Sequence, residues 1–412
     1  LKDSLRQAIT PFQQQEVSTL AGDEERPRTV KFEAPLLQEG YPPAVQEYEK
    51  GELTKKPLFV YLPGFDGTWM APFLQFPELS TTFDVRCLTI SMRDRSTYDE
   101  LKTDVIEYIL EQIRQEQGET KKSSFFWRWR PSPRSVYIAG ESFGGILATD
   151  VALTLLEEYQ LENIKGMTLI NAATCYDRSK LAMMGPMVAG LPKLLYPFAL
   201  LSLIPLFTDD YAWDQLVLIL RAQALPSVID SAQRESYMGR VAFSIPRKLQ
   251  YMPQGTLAWR LEEWLAAGCA KMESRLERFR SYKSFPTLIV AGEKDKCLPS
   301  IEEAERLSSI FASSHVHVVE GAGHACTCGS RIDLAAVIRY HFRFKGGRTE
   351  MKAKAAAGKG VHLGMEPRYD GRDDIGLSPL KYWSIENYKR TDLRYLNNRT
   401  LEATKDGIYR DE

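Results

Sequence analysis

One serine sits where its hydroxyl can act as a nucleophile: Gly140-Glu141-Ser142-Phe143-Gly144, with an apolar β-type run before it and an apolar helical stretch after it. Gly-x-Ser-x-Gly between a strand and a helix places the serine on a sharp, strained turn with its oxygen exposed. Gly140 and Gly144 have a steric task there, because side chains two positions either side of the nucleophile collide with the neighbouring strand or helix. A serine hydroxyl is a poor nucleophile at neutral pH. The reading therefore requires a histidine to accept its proton and an acid to fix that histidine's tautomer.

The chain has five histidines. His315 and His317 fall within a β run, His341 ends a helical pattern, and His362 lies in a polar tail. His324 alone follows a strand in a glycine-bearing loop (EGAGHACTCG), in the chain order serine, acid, histidine that this turn chemistry predicts. The acid belongs in the loop Ala291-Gly292-Glu293-Lys294-Asp295-Lys296. Asp295 is preferred over Glu293 because it lies past the turn, and Asp177, after the preceding strand, is the alternative. Acyl chemistry also needs donors for an oxyanion. The N–H of Phe143, just after the nucleophile, is one; the other is predicted at Phe65 in Pro63-Gly64-Phe65-Asp66-Gly67-Thr68, where Gly64 lets the chain turn.

Other chemistries find less support. Cys326 and Cys328 lie close to His324, but Cys-x-Cys spacing with no second ligand pair nearby is unlike a zinc site, so no metal and no cofactor are expected. Lys and Arg total 53 against 54 acidic residues, a net charge of −1, which gives no field for recruiting nucleic acid. No positively charged apolar leader is read at the N-terminus, so location is not legible there.

The elements that must hold these residues follow from hydrophobic patterning. Six short apolar runs suit strands buried on both faces: Pro57 to Leu62, Phe83 to Ile90, Ser135 to Ala139, Met167 to Ile170, Pro286 to Val290 and His315 to Val319. Helical segments alternate with them, the clearest running from Thr97 to Gln115 behind a Thr97…Glu100 capping box. Others are predicted after Glu141, from about 301 to 311 and from about 332 to 341. Such alternation means a mostly parallel α/β sheet. Residues 1–54 read as a polar, loosely structured extension, residues 55–343 as the catalytic body, and residues 344–412 as an extended arm. Within the body, residues 175–282 form an insertion too long for an ordinary connection. Its segment 183–207 is apolar enough to suggest a span but contains Pro186, Pro192, Pro197 and Pro205, so a helical cap over a greasy pocket is expected. The run KKSSFFWRWRPSPR, with Phe125, Phe126, Trp127 and Trp129 among Arg128 and Arg130, suits a membrane interface; packing of those aromatics on the body is the alternative.

LPGFDGTW, FDVRCLTISMRDRS, IAGESFGG, INAAT, AGEKDKCLPSIEEAERL and the GAGH loop together resemble the esterase/lipase/thioesterase half of plant and algal phytyl ester synthases, over roughly residues 55 to 343. The resemblance implies an α/β-hydrolase fold with a mostly parallel central sheet and a helical cap insertion. It also implies a chloroplast location at plastoglobules or thylakoids, and action on lipid acyl esters. One departure stands out. The family's second, acyltransferase half carries a His-x-x-x-x-Asp motif, and no histidine here is followed by Asp at the fifth position.

The expectation is a serine esterase or acyltransferase working through an acyl-Ser142 intermediate on a galactolipid, acylglycerol, phytyl ester or acyl thioester, at a membrane or lipid-droplet surface. The rival expectation is a catalytically retired hydrolase fold with a structural role in a plastid membrane complex, held to a protein partner through residues 344–412.

Overall fold

The computed structural model describes residues 27–38, 56–123, 134–210, 212–213, 216–217, 252–328 and 332–344. The aromatic–arginine run, the cap segment 218–251 and the arm from 345 onward, with the expectations placed on them, lie outside the described residues.

Seven strands build one sheet: β1 (Val30–Glu33), β2 (Leu58–Leu62), β3 (Asp84–Ile90), β4 (Val136–Glu141), β5 (Ile164–Ile170), β6 (Thr287–Gly292) and β7 (Ser314–Val319), in the order β1-β3-β2-β4-β5-β6-β7. The pairs from β3 to β7 are parallel, and β1 is antiparallel to β3. Parallel strands need covered crossovers, which is why the apolar runs are continuous: every residue of β2, β4 and β6 is buried. Alternate side chains feed two cores. Leu58, Val60 and Leu62 of β2 enter one, and Phe59 and Tyr61 enter the other.

The helices are α1 (Phe76–Ser80), α2 (Tyr98–Ser123), α3 (Phe143–Glu157), α4 (Lys180–Ala189), α5 (Tyr196–Phe207), α6 (Gln254–Trp259), α7 (Ala267–Phe279), α8 (Ser300–Ile310) and α9 (Leu334–His341), with a π-helical segment, Arg260–Ala266, joining α6 to α7. Helices α2, α3, α7 and α8 cover the first core; α1 and α9 cover the second. The chain belongs to the α/β class, with a mostly parallel sheet between two helical layers. Helix α2 starts at its capping box as expected: the Thr97 N–H donates to Glu100 Oε2 at 2.7 Å, and the Glu100 N–H to Thr97 Oγ1 at 3.4 Å.

Two expectations need correcting. The N-terminal extension is not uniformly loose. Residues Val30–Glu33 pair with Cys87–Ile90 as an edge strand, Phe32 stacks on Tyr108 of α2 with ring centroids 3.7 Å apart, and Leu36 is fully buried. Four residues of half-buried alternation were too short a signal against the polar background. Helix α2 runs to Ser123, beyond the apolar positions that marked it. The apolar segment 183–207 belongs to a hairpin of α4 and α5 broken at residues 190–195. No helix among the described residues is long and apolar enough to cross a membrane.

The site is positioned by one topological fact. From β2 the chain goes to β3 on one side and then returns across β2 to β4 on the other, so the strand order reverses about β2. In open α/β sheets ligands bind in the crevice at the carboxyl ends of the strands beside such a reversal. The loop after β2 and the turn after β4 meet there, levelled by the Leu62↔Gly140 pairing.

Candidate active site

Ser142 sits between β4 and α3 with φ 54° and ψ −116°, a conformation a non-glycine residue holds only when its surroundings impose it, at a cost of about 1–3 kcal/mol. Its N–H donates to the Ile170 carbonyl, and its own carbonyl accepts from Gly145 and Ala173, all at 2.9 Å. The flanking glycines are required by close approach. A Cβ on Gly140 would lie 2.0 Å from the Gly144 carbonyl oxygen, and one on Gly144 would lie 2.0 Å from that of Leu62.

Three residues from three separate loops converge on one line. His324 Nε2 is 3.0 Å from Ser142 Oγ, and His324 Nδ1 is 2.8 Å from Asp295 Oδ2. The Asp295 carboxylate is held in turn: Oδ1 accepts from the Cys297 and Leu298 N–H groups at 2.8 and 3.1 Å, and Oδ2 accepts from the Ser300 hydroxyl at 2.5 Å. Burial pushes the Asp295 carboxyl up, but the charge and hydrogen bond of His324, with Ser300 and the Leu298 N–H, outweigh it and hold Asp295 below its ordinary value. Burial also pulls His324 down, and the Asp295 carboxylate, helped by Glu141 and Asp66, raises it above the ordinary imidazole value. An ionised acid behind a basic imidazole, in contact with a hydroxyl, is an arrangement that can accept a serine proton.

The alternative acids are elsewhere. Asp177 is exposed and lies 3.6 Å from Cys269 Sγ, while Glu293 accepts from the Gly321 N–H at 2.6 Å on the surface. The loop after β2 reaches the serine, since a Cβ on Gly64 would be 3.6 Å from Ser142 Cβ, and the turn closes through Gly67 N–H to the Gly64 carbonyl at 2.9 Å. Phe65 is the next residue of that loop. Phe143, next to the nucleophile, begins α3, where a backbone N–H has no carbonyl of the preceding turn to take it.

Sequence reasoning missed the groups that brace this line. Glu141, inside the elbow, is buried and accepts from the Tyr61 hydroxyl and from Thr327 Oγ1 at 3.1 Å, tying the nucleophile turn to β2 and the histidine loop. Burial pushes its carboxyl up to about 7 against those hydrogen bonds and the charge of His324. Asn171, just past β5 with φ 41°, donates to the His324 carbonyl at 2.5 Å and accepts from the Gly292 N–H at 2.8 Å. From the cap, Phe207 packs edge-on against His324 at 5.6 Å and, tilted by 30°, against Phe65 at 5.5 Å; its carbonyl accepts from the Ala325 N–H. An asparagine ending a strand was the one visible hint. The others act through partners too distant in sequence to be paired by eye.

Known proteins are similar to this chain over most of its body. Phytyl ester synthase 1, chloroplastic, from Arabidopsis thaliana is 29% identical over 289 residues, which is 69% of this chain and 36% of that protein. Phytyl ester synthase 2, chloroplastic, from the same plant is 26% identical over 317 residues, 72% of this chain and 39% of that protein. The chain thus spans less than two fifths of these relatives. Among solved structures, an alpha/beta hydrolase fold protein from Burkholderia ambifaria aligns with TM-score 0.38 and 15% identity over 69% of this chain and 91% of its own. A thioesterase domain from the curacin biosynthetic pathway aligns with TM-score 0.38 and 18% identity, over 70% and 91%. The family model described as "Alpha/beta hydrolase family" matches residues 59–333, well over half of the chain. The chain belongs to the alpha/beta hydrolase family.

Proposed function

We propose that the chain is a serine esterase or acyltransferase that takes the acyl group of a lipid ester onto Ser142. The observation that carries this is the unbroken line from Ser142 Oγ through His324 to Asp295, at 3.0 and 2.8 Å. Ser142 Oγ attacks the ester carbonyl and its proton passes to His324 Nε2. The carbonyl π pair moves onto oxygen, where the Phe65 and Phe143 N–H groups receive it. Collapse expels the alcohol, which leaves with the proton held by His324, and acyl-Ser142 remains. Water or a second alcohol then loses its proton to His324 and releases the acyl group as acid or new ester.

An apolar acyl chain is supported by the surroundings, because Phe207 at the end of the cap hairpin packs on His324 and Phe65, and that hairpin is almost free of charge. On that hairpin Met183, Met187, Leu194, Leu195, Phe198 and Leu201 are exposed, and Lys193 is the one charged residue between Leu181 and Thr208. An exposed apolar patch of that kind suits a lipid surface. With relatives named chloroplastic, we place the chain at a plastid lipid surface such as a thylakoid or plastoglobule.

The test is a fluorophosphonate probe followed by peptide mass mapping, with turnover of a long-chain acyl ester. Label is expected on Ser142 alone, and none on Ser142→Ala. Asp295→Asn is expected to keep the fold and lose about 10⁴-fold in kcat. A chain that stays unlabelled beside a control hydrolase, or an Asp295→Asn variant with full turnover, sinks the reading.

A further inference from the structure

Arg260 is fully buried, yet none of the described carboxylates pairs with it. A guanidinium taken out of water without an ion-pair partner is costly, and burial indeed pulls its pKa down to about 10 against the attraction of Asp66 and Asp94. A methionine would fill the same space without that cost. What arginine adds is its donors: Nη1 donates to the Phe65 carbonyl at 2.7 Å, and Nη2 to the Ser91 carbonyl at 2.8 Å and to that of Ile90 at 3.4 Å. The guanidinium carbon lies over the Trp264 ring, 4.2 Å from its centroid. Trp264 is anchored by its own N–H to the Ser96 carbonyl at 2.8 Å, and its other neighbour is Phe143, stacked at 5.0 Å and 21°.

Both side chains come from the π-helical segment Arg260–Ala266, and π turns are uncommon and concentrate at functional sites. Four residues apart, they point the same way along it. One end of the pair holds the carbonyl of Phe65; the other holds the ring of Phe143. These are the two residues whose N–H groups receive the oxyanion. Packing leaves the guanidinium little room, since a Cβ on Gly67, the residue closing the turn after Phe65, would lie 3.1 Å from Arg260 Nη1.

We propose that Arg260 and Trp264 are positioning residues that fix the two oxyanion donors relative to one another, so that the helical insertion completes the oxyanion hole without touching the substrate. This rests on the reading of Ser142, Phe65 and Phe143 given above. A misplaced donor weakens binding of the transition state more than binding of the ground state.

The test uses the full chain and variants Arg260→Met, Arg260→Lys, Trp264→Leu and Trp264→Phe. It reads kcat and KM on a p-nitrophenyl acyl ester, the Ki of an alkyl trifluoromethyl ketone whose hemiketal oxygen occupies the oxyanion position, and fluorophosphonate stoichiometry to count competent molecules. Arg260→Met and Trp264→Leu are expected to lose roughly 10²-fold in kcat per labelled molecule with KM within about threefold, and Ki is expected to weaken in the same proportion. Trp264→Phe, which keeps an aromatic face, is expected to recover most of the loss. The idea is overturned if folded Arg260→Met keeps kcat and Ki within about threefold of the parent, or if its lost activity is accounted for by fewer labelled molecules. Should Arg260→Met not fold, Arg260→Lys decides, because it keeps the charge and gives up the fork of donors; full kcat and Ki in that variant overturn the idea. A parent chain that takes no label at Ser142 fails the catalytic reading itself, a result separate from any of these.

Discussion

His324 is pulled in opposite directions: burial favours the neutral ring, while Asp295, Glu141 and Asp66 favour the imidazolium and prevail. As the base it must be neutral, so kcat/KM is expected to fall on the acid side with a midpoint above the ordinary histidine value of 6.5. The Glu141 carboxylate is one of the charges that favour the imidazolium. Glu141→Gln removes that charge, which shifts the limb to lower pH. A pH–rate profile unchanged in midpoint would count against this coupling. Ser142, His324 and Asp295 were legible because acyl chemistry demands those residue types and the strand–elbow–helix fold sets their chain order. Glu141 was not, since Gly-x-Ser-x-Gly is silent about what its second position meets, and the partners Tyr61 and Thr327 lie 80 and 186 residues away.

Among the elements, legibility followed the strength of the local signal. The strands β2 to β6 each carry an apolar run that burial on both faces of the sheet demands, β7 at the sheet edge is read from its alternating valines although it is only partly buried, and α2 carries a capping box. Strand β1 has two inward residues, Val30 and Phe32, and its evidence is tertiary: the ladder to β3 and the stack on Tyr108. The π-helical segment has no sequence signature, as it differs from an α turn by one inserted residue. The elbow is the element where sequence and sterics agree most closely. Gly144 meets the Leu62 backbone oxygen of β2, which cannot move without breaking the sheet pairing beside it. Gly144→Ala should thus cost about 3 kcal/mol, the upper part of the range for overpacking, and lower Tm by roughly 5 °C or more. Calorimetry or circular dichroism melting checks it; a melt within a degree of the parent shows that the turn has slack the structure does not suggest.

Over the whole molecule, the exposed apolar face of the α4–α5 hairpin and the site lie on one element, for the end of α5 delivers Phe207 onto His324. A surface that docked on this hairpin would bring lipid to the mouth of the crevice rather than to the far side of the sheet. Full burial of a leucine or phenylalanine side chain is worth about 1.5–3 kcal/mol, and a side chain sunk into a bilayer interface gains a fraction of that. Replacing Leu194, Phe198 and Leu201 together by serine is accordingly expected to weaken binding of the full chain to galactolipid vesicles by roughly 10²-fold. Since Lys193 is the one charge on the stretch, the part of the affinity that is lost should be insensitive to salt. Turnover of a water-soluble short-chain ester should be unchanged in the triple variant, while turnover of the vesicle lipid falls with binding. Vesicle flotation at two salt concentrations reads the first quantity and product analysis the second. Equal flotation of parent and variant, or equal turnover of vesicle lipid, would leave the hairpin without a role at the lipid surface.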